Sequence, residues 1–478
     1  MAKPDPKPNE DPIVKLFGPE PEPPPDEVDK RDRFKAGLAD TGTPRAGRTT
    51  LDEARRKGPI GWLQILGPGL ITGASDDDPS GIGTYSQVGS QFGYGLLWTA
   101  LFTFPLMSAI QELCARIALQ TGVGLGVSLR RKFPSWLAGI AILGLLGANT
   151  FNIGADLGAV AAGGSLLSRG LIPALWLVVP VAALIIVMQL FMTYSAIFKI
   201  FKWLTLALFA YVITAFFAHP QPLEVLKATF IPHIEFSKGF VMALVAVLGT
   251  TISPYLFFWQ ASSEVDEMTA AGVTNPLVGH RGIKASELRA ARFDIVIGMA
   301  FSNLVAYFII LTSAAVLHAH GKTGIQTADQ AAAALAPLAG PFAFVLFAIG
   351  LIGTGLLAIP ILAGSASYAL KEFLGLPGNL AAKPVHRPTF YVVLGAATIA
   401  GVVMNFMHLD PIRALFITAV INGVVAPPLL VLIIWLGRDR QVMKQRVSGR
   451  LSLTLTGIAA AGMAIAAVVM LVGLIPGL

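Results

Sequence analysis

Long apolar runs separated by short polar loops dominate the chain from about residue 60 onward. An α-helix needs about 20 residues to cross ~30 Å of hydrocarbon, and eleven runs come near or exceed that length. We therefore expect an all-α integral membrane protein. The expected spans are 62–92, 95–120, 134–167, 171–192, 195–217, 238–263, 292–318, 337–374, 389–406, 411–436 and 452–476.

Polar residues and proline interrupt the first of these runs. It contains the segment Ser75–Gly81, of sequence SDDDPSG, inside otherwise apolar surroundings. Pro79 lacks a backbone donor, so the helix should break there. Carboxylates are very costly in hydrocarbon, and irregular backbone at membrane depth is tolerated only around a protected or wet site. The segment therefore predicts a broken helix with acids at the break, which is typical of a cation pathway.

A second interruption is expected in the sixth span, within Gly249–Tyr255, of sequence GTTISPY. Pro254 removes another backbone donor, while the neighbouring hydroxyls can rebond freed backbone groups. Interrupted helices at positions one and six predict two inverted repeats of five helices, roughly 62–217 and 238–436, with an eleventh helix at 452–476. Secondary transporters bind their substrates where such discontinuous helices meet.

Basic residues concentrate in alternate loops. In loops that follow even-numbered spans they are Arg130, Arg131, Lys132, Lys199, Lys202, Arg281, Lys284, Arg289, Arg292, Lys371, Lys383, Arg387, Arg438, Arg440, Lys444, Arg446 and Arg450. The positive-inside rule then predicts a cytoplasmic N-terminus and an external C-terminus in the cell membrane. The net charge of +7 is accounted for by these loops, so we expect no nucleic-acid partner. We also expect no obligatory protein partner.

Residues 1–58 differ from the rest because proline alternates with charged residues and few apolar residues occur. Such a segment cannot bury enough surface to order itself, so we expect a disordered cytoplasmic tail before a transporter domain at 59–478. The single cysteine, Cys114, excludes an internal disulfide. GxSxG, HExxH and P-loop motifs are absent, so we expect neither an enzyme nor a cofactor.

Several short motifs resemble those of a known family. The segments Leu66–Leu70 (LGPGL), Asp78–Gly81 (DPSG) and Val88–Tyr94 (VGSQFGY) resemble the first span of the natural resistance-associated macrophage protein (Nramp) family. Weaker matches are Gln111–Arg116 and Asp156–Ala159, and the similarity covers about residues 60 to 440. The resemblance implies a LeuT-type fold, with broken first and sixth helices, and transport of divalent metal ions.

The chain departs from the family pattern at its metal ligands. The family carries Asp-Pro-Gly-Asn in the first span and Met-Pro-His in the sixth. Asp78 matches the aspartate, but Gly81 stands in place of the asparagine, Ser253 of the methionine and Tyr255 of the histidine. Ala159 replaces a glutamate of proton-coupled members. The pattern is similar to that of the Nramp-related magnesium transporters, which are described as carrying magnesium and manganese without evident proton coupling.

Ligand chemistry supports the same interpretation. Thioether and imidazole groups favour softer transition metals, whereas oxygen donors suit magnesium and manganese, and magnesium usually keeps several waters. We expect Asp78 as the principal anionic ligand and Asp77 or Asp76 as a second acid. We also expect contributions from the Ser253 hydroxyl and from backbone carbonyls near Ser75 and Thr250. Gly81 should leave empty volume for the hydrated ion. Tyr255 should act as a packing or gating aromatic rather than as a ligand.

Each of these residues also has a structural interpretation. Asp78 can simply cap the second half of the broken helix. Asp156 in the third span can pair with a basic residue, or it can be a remnant of a proton pathway. Asn152, Asn303 and Asn405 suit hydrogen bonds between helices. The seven histidines all fall near span ends, so few titratable groups lie within the bundle to relay protons. We therefore expect transport without proton coupling.

Three rival functions stay open. A proton-coupled manganese or iron symporter of the same family would need titratable groups through the bundle. An organic-cation or amino-acid carrier on the same scaffold is disfavoured for anionic substrates by the three acids at the break. A channel is disfavoured because the chain contains no repeated filter loop.

Overall fold

The computed structural model describes residues 67–191, 206–270, 285–376, 388–407 and 410–473. Within these ranges all regular structure is helical and no β-strand occurs. The predicted tail, 1–58, lies outside the described residues, as does the part of the fifth predicted span at 195–205. Those two predictions therefore remain predictions.

The described helices follow one another in this order. They are α1 Pro68–Asp76, α2 Pro79–Phe92, α3 Trp98–Thr121, α4 Leu125–Lys132, α5 Ser135–Leu167, α6 Ala174–Phe191, α7 Phe209–Phe217, α8 Pro222–Phe230, α9 Lys238–Thr251, α10 Pro254–Ala270, α11 Ala285–Val316, α12 Ala328–Ala332, α13 Ala336–Ala339, α14 Ala343–Leu374, α15 Pro388–Asn405, α16 Pro411–Arg438, α17 Arg440–Met443 and α18 Arg450–Gly473. Single 3₁₀ turns lie at Gly93–Leu96, Leu206–Leu208, His318–His320, Ala333–Leu335, Gly340–Phe342 and Lys444–Arg446.

A helix lies at each of the eleven predicted positions, but not every helix is long and apolar enough to cross a membrane alone. Seven helical stretches in the described part of the chain are, or eight if the pair Pro79–Leu96 and Trp98–Thr121, bent by 104°, counts as one span. The first predicted span does not count as a single membrane-crossing helix because it is divided into two short helices. The ninth does not count because its apolar helix, Tyr391–Asn405, is too short.

Two apolar clusters lie on opposite sides of the helix breaks, and the same helices contribute to both. The early part of α5 contributes Leu145 to one cluster, and its later part contributes Ala159 to the other. Met299 and Ile309 divide α11 in the same way. Buried polar side chains occupy the level between the clusters on both helices. Large apolar side chains such as Trp136 and Trp176 face outward, as expected for contact with lipid.

One contact between loops supports part of the predicted topology. Lys132, after the second span, forms an ion pair with Asp439, after the tenth, and also donates a 3.4 Å hydrogen bond to Gln441. The loops that follow these two even-numbered spans therefore lie on the same side of the bundle. On the other side, Trp98 Nε1 donates to the His233 carbonyl at 3.2 Å.

Candidate functional site

The first break lies at Asp77–Asp78, between α1 and α2. Asp78 has extended backbone (φ −68°, ψ 170°), as expected for a residue before proline, and α2 begins at Pro79. Asp78 Oδ1 accepts hydrogen bonds from the Gly81 amide at 2.9 Å and the Ser80 hydroxyl at 2.6 Å. Asp78 is therefore the N-cap of α2. The capping interpretation is correct for Oδ1, while Oδ2 lies 3.1 Å from Asn152 Nδ2 and 3.5 Å from the Tyr255 hydroxyl.

The second break lies at Ile252–Ser253, between α9 and α10. Pro254 begins α10 and cannot donate to the preceding turn. Hydroxyl groups take up the carbonyls that the break frees: Ser253 Oγ lies 2.8 Å from the Thr250 carbonyl and 3.0 Å from that of Gly249. The Ser253 hydroxyl proton is thus engaged with the backbone, so only the oxygen lone pairs remain for a ligand.

Two tyrosines join the breaks to one another. The Tyr255 hydroxyl, on α10, donates to the Ser75 carbonyl of α1 at 2.7 Å. The Tyr85 hydroxyl, on α2, lies 2.8 Å from Thr251 Oγ1 of α9. Each half of the first span is therefore tied to one half of the sixth. The Ser75 carbonyl, expected to face the ion, accepts this hydrogen bond from Tyr255, which leaves one of its two lone pairs for a ligand.

Gly81 and Thr250 lie side by side where the two breaks meet. Ser80 Oγ lies 3.3 Å from Thr250 Oγ1. A Cβ atom at Gly81 would lie 3.5 Å from both Thr250 Oγ1 and the Asp76 carbonyl oxygen. The same Cβ atom would lie 3.3 Å from the Tyr85 ring, so the space beside Gly81 is closely lined, and its expected role for a hydrated ion remains a prediction.

Four carboxylates surround this crossing, and all are at most 2% exposed: Asp76, Asp77, Asp78 and Asp156. Ser302 of α11 donates to Asp76 Oδ2 at 2.5 Å and lies 3.4 Å from Asp77 Oδ1. Asp76 Oδ1, Asp77 Oδ2 and both carboxylate oxygens of Asp156 have no hydrogen-bond partner among the described residues. Several carboxyl oxygen atoms are therefore buried and unsatisfied at one level of the bundle.

The structural interpretation of Asp156 included pairing with a basic side chain. None of the ion pairs within the described residues involves Asp156, so that pairing remains a prediction. The carboxylate instead lies within electrostatic range of Asp78 and near the Ser80 amide. Asn303 and Asn405 do bind neighbouring helices: Thr103 donates to Asn303 Oδ1 at 3.2 Å, and Asn405 donates to the Gly154 carbonyl at 2.7 Å.

Buried carboxylates without counter-charges are unstable in a membrane interior, because desolvation costs several kcal/mol per ion. A bound cation would balance that charge. Among the described residues, no group of three or more His, Cys, Asp or Glu side chains converges as a ready-made metal cage.

Three contributors were not anticipated from the sequence. Ser302 contacts two acids, Tyr85 bonds to the second break, and Asn152 donates to Asp78 rather than to a helix backbone. Asn152 was already visible as a polar residue within a span, but its partner was not. No local signal distinguished Ser302 or Tyr85 from other polar residues of apolar helices.

Comparison with known proteins gives consistent matches. The family model of natural resistance-associated macrophage protein-like (Nramp) proteins matches residues 69–473. The divalent metal cation transporter MntH of Klebsiella pneumoniae subsp. pneumoniae is 26% identical over 368 residues, covering 75% of this chain and 82% of the relative. MntH of Erwinia tasmaniensis is 25% identical over 339 residues, covering 69% and 78% respectively.

Two solved structures share the fold. The manganese transporter of Eremococcus coleocola superposes with a TM-score of 0.65 at 17% identity, covering 86% of this chain and 87% of that one. Mhp1, a nucleobase-cation-symport-1 family transporter, gives a TM-score of 0.52 at 14% identity, covering 86% and 91%.

Broken helices that meet at buried acids, on a fold shared with these structures, define a multi-pass membrane transporter of LeuT-type fold. The chain belongs to the Nramp family, whose members are transporters and not enzymes. The fold and the family expected from the sequence are both confirmed.

Proposed function

We propose that this protein is an alternating-access carrier of divalent metal cations, with magnesium or manganese as its substrate. The ion binds, still partly hydrated, between the broken first and sixth helices. The observation that carries this proposal is the set of buried, unsatisfied carboxylate oxygens at Asp76 and Asp77, beside Asp78 and without a basic partner among the described residues. Divalent charge is the most effective compensation for such a cluster.

The oxygen-only donor set supports magnesium or manganese as the substrate. The side chains at the second break are those of Thr250, Ser253 and Tyr255, which offer hydroxyl groups and neither thioether nor imidazole. Oxygen donors suit these ions, and magnesium in particular retains several waters. The relatives described above as divalent metal cation and manganese transporters agree with the divalent class.

The same residues support uncoupled, voltage-driven uptake as part of this proposal. Asp156 is the one acid on α5, and the described histidines lie at span ends or in loops. A membrane potential that is negative inside favours entry by about 2.3 kcal/mol per charge per 100 mV, or roughly twice that for a divalent ion. Inward transport then needs no co-ion.

A proton-coupled symporter is the second candidate, and Asp156 favours it. This carboxylate is buried, within electrostatic range of Asp78, and has no hydrogen-bond partner among the described residues. A group in that position could take up a proton as the ion leaves. An amino-acid or organic-cation carrier has only the shared Mhp1 fold in its favour.

Uptake into proteoliposomes distinguishes these functions. Magnesium, manganese and calcium are offered in turn, with and without a pH gradient, to vesicles that contain ion-sensitive and pH-sensitive dyes. We expect magnesium and manganese entry that depends on voltage and leaves internal pH unchanged. Internal acidification in proportion to metal entry would establish the symporter, and accumulation of an amino acid without any metal entry would contradict the proposed function.

Orientation belongs to the same proposal, with the N-terminus cytoplasmic and the C-terminus outside. The single native cysteine, Cys114, is fully buried, so an introduced cysteine gives a clean label. Gly324 and Gly449 are exposed and have open space around them, in loops expected outside and inside respectively. In intact cells, a membrane-impermeant maleimide should label Gly324→Cys and leave Gly449→Cys unlabelled. The reverse result would invert the topology.

A further inference from the structure

One face of α11 follows α1 from its first residue to the break. Three positions on that face, spaced by four residues, are Asp294, Gly298 and Ser302. Residues at this spacing lie in a row along a helix. Together they contact α1 from its first residues to its last, and the row ends at two of the carboxylates in the site.

Asp294 holds the beginning of α1. Its carboxylate accepts hydrogen bonds from the amides of Gly67 at 2.9 Å, Gly69 at 2.8 Å and Leu70 at 3.0 Å. The N-cap residue, Gly67, offers no side chain for this purpose, so the first amides of α1 depend on Asp294. Since Asp294 is fully buried, the start of α1 is fixed against α11.

Gly298 sets the distance between the two helices. A Cβ atom at Gly298 would lie 2.2 Å from the Gly69 carbonyl oxygen, and one at Gly73 would lie 2.1 Å from the Gly298 carbonyl oxygen. Backbone therefore packs directly on backbone, with no side chain between. This contact fixes the height of α1 along α11, and hence the height of the acids that follow α1.

Ser302 completes the row at the acids. Its hydroxyl lies 2.5 Å from Asp76 Oδ2 and 3.4 Å from Asp77 Oδ1, while Asp76 Oδ1 and Asp77 Oδ2 have no partner among the described residues. The Ser302 hydroxyl thus donates its proton to one oxygen of Asp76 and lies beside one oxygen of Asp77. The other oxygen of each is left for the ion or its waters.

We propose that Ser302 is a positioning residue that sets the selectivity of the transport site by restricting Asp76 and Asp77 to one free oxygen each. This inference rests on the proposed function. Magnesium takes six ligands in a strict octahedron at about 2.0–2.1 Å, and single carboxylate oxygens suit it. Calcium takes six to eight ligands at about 2.3–2.6 Å and readily uses carboxylates in bidentate fashion. Ser302 therefore disfavours calcium.

The test is the ratio of calcium to magnesium uptake in proteoliposomes. Ser302→Ala removes the hydroxyl and frees both carboxylates to rotate, so the ratio should rise about tenfold, the equivalent of one hydrogen bond to a charged group. Ser302→Cys keeps the size but donates weakly, so it should also raise the ratio and serves if the alanine variant is not recovered folded. Ser302→Thr retains a hydroxyl and should keep the ratio of the unmodified protein.

Ser313→Ala is the matched control. Ser313 lies on the same helix, is fully buried, and its hydroxyl has no hydrogen-bond partner among the described residues. This variant should leave the ratio unchanged, because it removes a buried serine hydroxyl away from the acids. A raised ratio in Ser313→Ala would mean that loosening of α11 alone changes selectivity, and would overturn the assignment to Ser302.

Failure of this inference is distinguishable from failure of the proposed function. If the unmodified protein carries magnesium and loses uptake with Asp78→Asn, while Ser302→Ala and Ser302→Cys keep the original ratio, Ser302 does not set selectivity. If the unmodified protein carries no divalent cation at all, the proposed function fails first.

Discussion

The Tyr255 hydroxyl donates a 2.7 Å hydrogen bond to the main-chain carbonyl oxygen of Ser75, across the gap between the two broken helices. A helix that ends inside a membrane leaves carbonyls without partners, and each unsatisfied one is costly. Tyr255 therefore stabilises the C-terminal end of α1 and at the same time ties it to α10. Movement of α10 relative to α1 must break this bond.

Removal of the Tyr255 hydroxyl tests that role. Tyr255→Phe leaves the Ser75 carbonyl buried and unpaired, so we expect a loss of about 1–3 kcal/mol in the free energy of unfolding. Thermal unfolding in detergent, read out by intrinsic fluorescence, measures it. Tyr94→Phe, at a half-buried position outside the site, is the control and should change the stability little. Equal stability of Tyr255→Phe and the unmodified protein would show that the bond contributes nothing.

The charge of Asp78 can be tested separately from its capping role. Asparagine is as good an N-cap as aspartate, so Asp78→Asn should preserve α2 while it removes one negative charge from the site. We expect magnesium uptake to fall at least about tenfold, because an ionised donor binds a cation much more strongly than a neutral amide. Initial rates of dye quenching in proteoliposomes measure this.

The matched control for Asp78 is Asp329→Asn, the same chemical change at an exposed position in the first turn of α12. Uptake by this variant should equal that of the unmodified protein. Retention of magnesium uptake by Asp78→Asn would remove Asp78 from the site and with it the main anionic ligand of the proposal.

Ser253 offers a test of metal preference. Ser253→Met places a thioether at the second break, and soft ligands favour soft metals. We expect cadmium uptake to rise relative to magnesium uptake, with some overall loss of activity because the position is buried and already filled. Competition between the two ions in proteoliposomes gives the ratio. Thr323→Met, in an exposed loop, should not alter it, and an unchanged ratio in Ser253→Met would argue that Ser253 does not line the site.

Both breaks could be predicted from the sequence because their causes are local. Pro79 and Pro254 each remove a donor, and the polar residues beside them cannot face lipid. The capping of α2 by Asp78 is equally local, since an N-cap bonds within three residues. Of the site residues expected from this pattern, Tyr255 lies next to Ser75 and Asp78 across the two breaks, whereas Ser253 bonds to carbonyls of its own helix.

Partners distant in the chain could not be predicted in the same way. Ser302 and Asp76 are separated by 226 positions, and Tyr255 and Ser75 by 180. Nothing in the composition of α11 indicates which of its polar residues faces an acid, because that depends on how the helices pack. For the same reason, no pattern in the sequence indicated that the Ser75 carbonyl would accept a hydrogen bond from Tyr255.

The ion pair between Lys132 and Asp439 predicts a pH dependence of stability. The hydrogen bond from Lys132 holds the pKa of Asp439 below its ordinary value. A carboxylate whose pKa is lowered by folding stabilises the protein above its unfolded pKa of about 3.9, and the contribution is lost as pH falls through the lower folded value. The difference in melting temperature between the unmodified protein and Asp439→Asn should be full at neutral pH, begin to shrink near about pH 4 and be lost as pH falls through the lower folded pKa of Asp439.

Asp410→Asn is the control for this pH series, because Asp410 is exposed and makes no side-chain capping bond to α16. Its melting temperature should follow that of the unmodified protein throughout. A difference for Asp439→Asn that persists unchanged to pH 3 would show that the carboxylate acts by some means other than its charge.

Close packing of α9 on α16 yields the last prediction. A Cβ atom at Gly249 would lie 2.1 Å from the Ala419 carbonyl oxygen and 2.3 Å from the Gly423 amide nitrogen, so Gly249→Ala must push two helix backbones apart. We expect a loss of at least about 1–3 kcal/mol in stability and reduced uptake, since Gly249 precedes the second break. Gly462→Ala in α18, where nothing lies within 4 Å, should instead gain up to about 1 kcal/mol from helix propensity. Thermal unfolding of the two variants should therefore shift in opposite directions, and a shared direction would contradict the packing at Gly249.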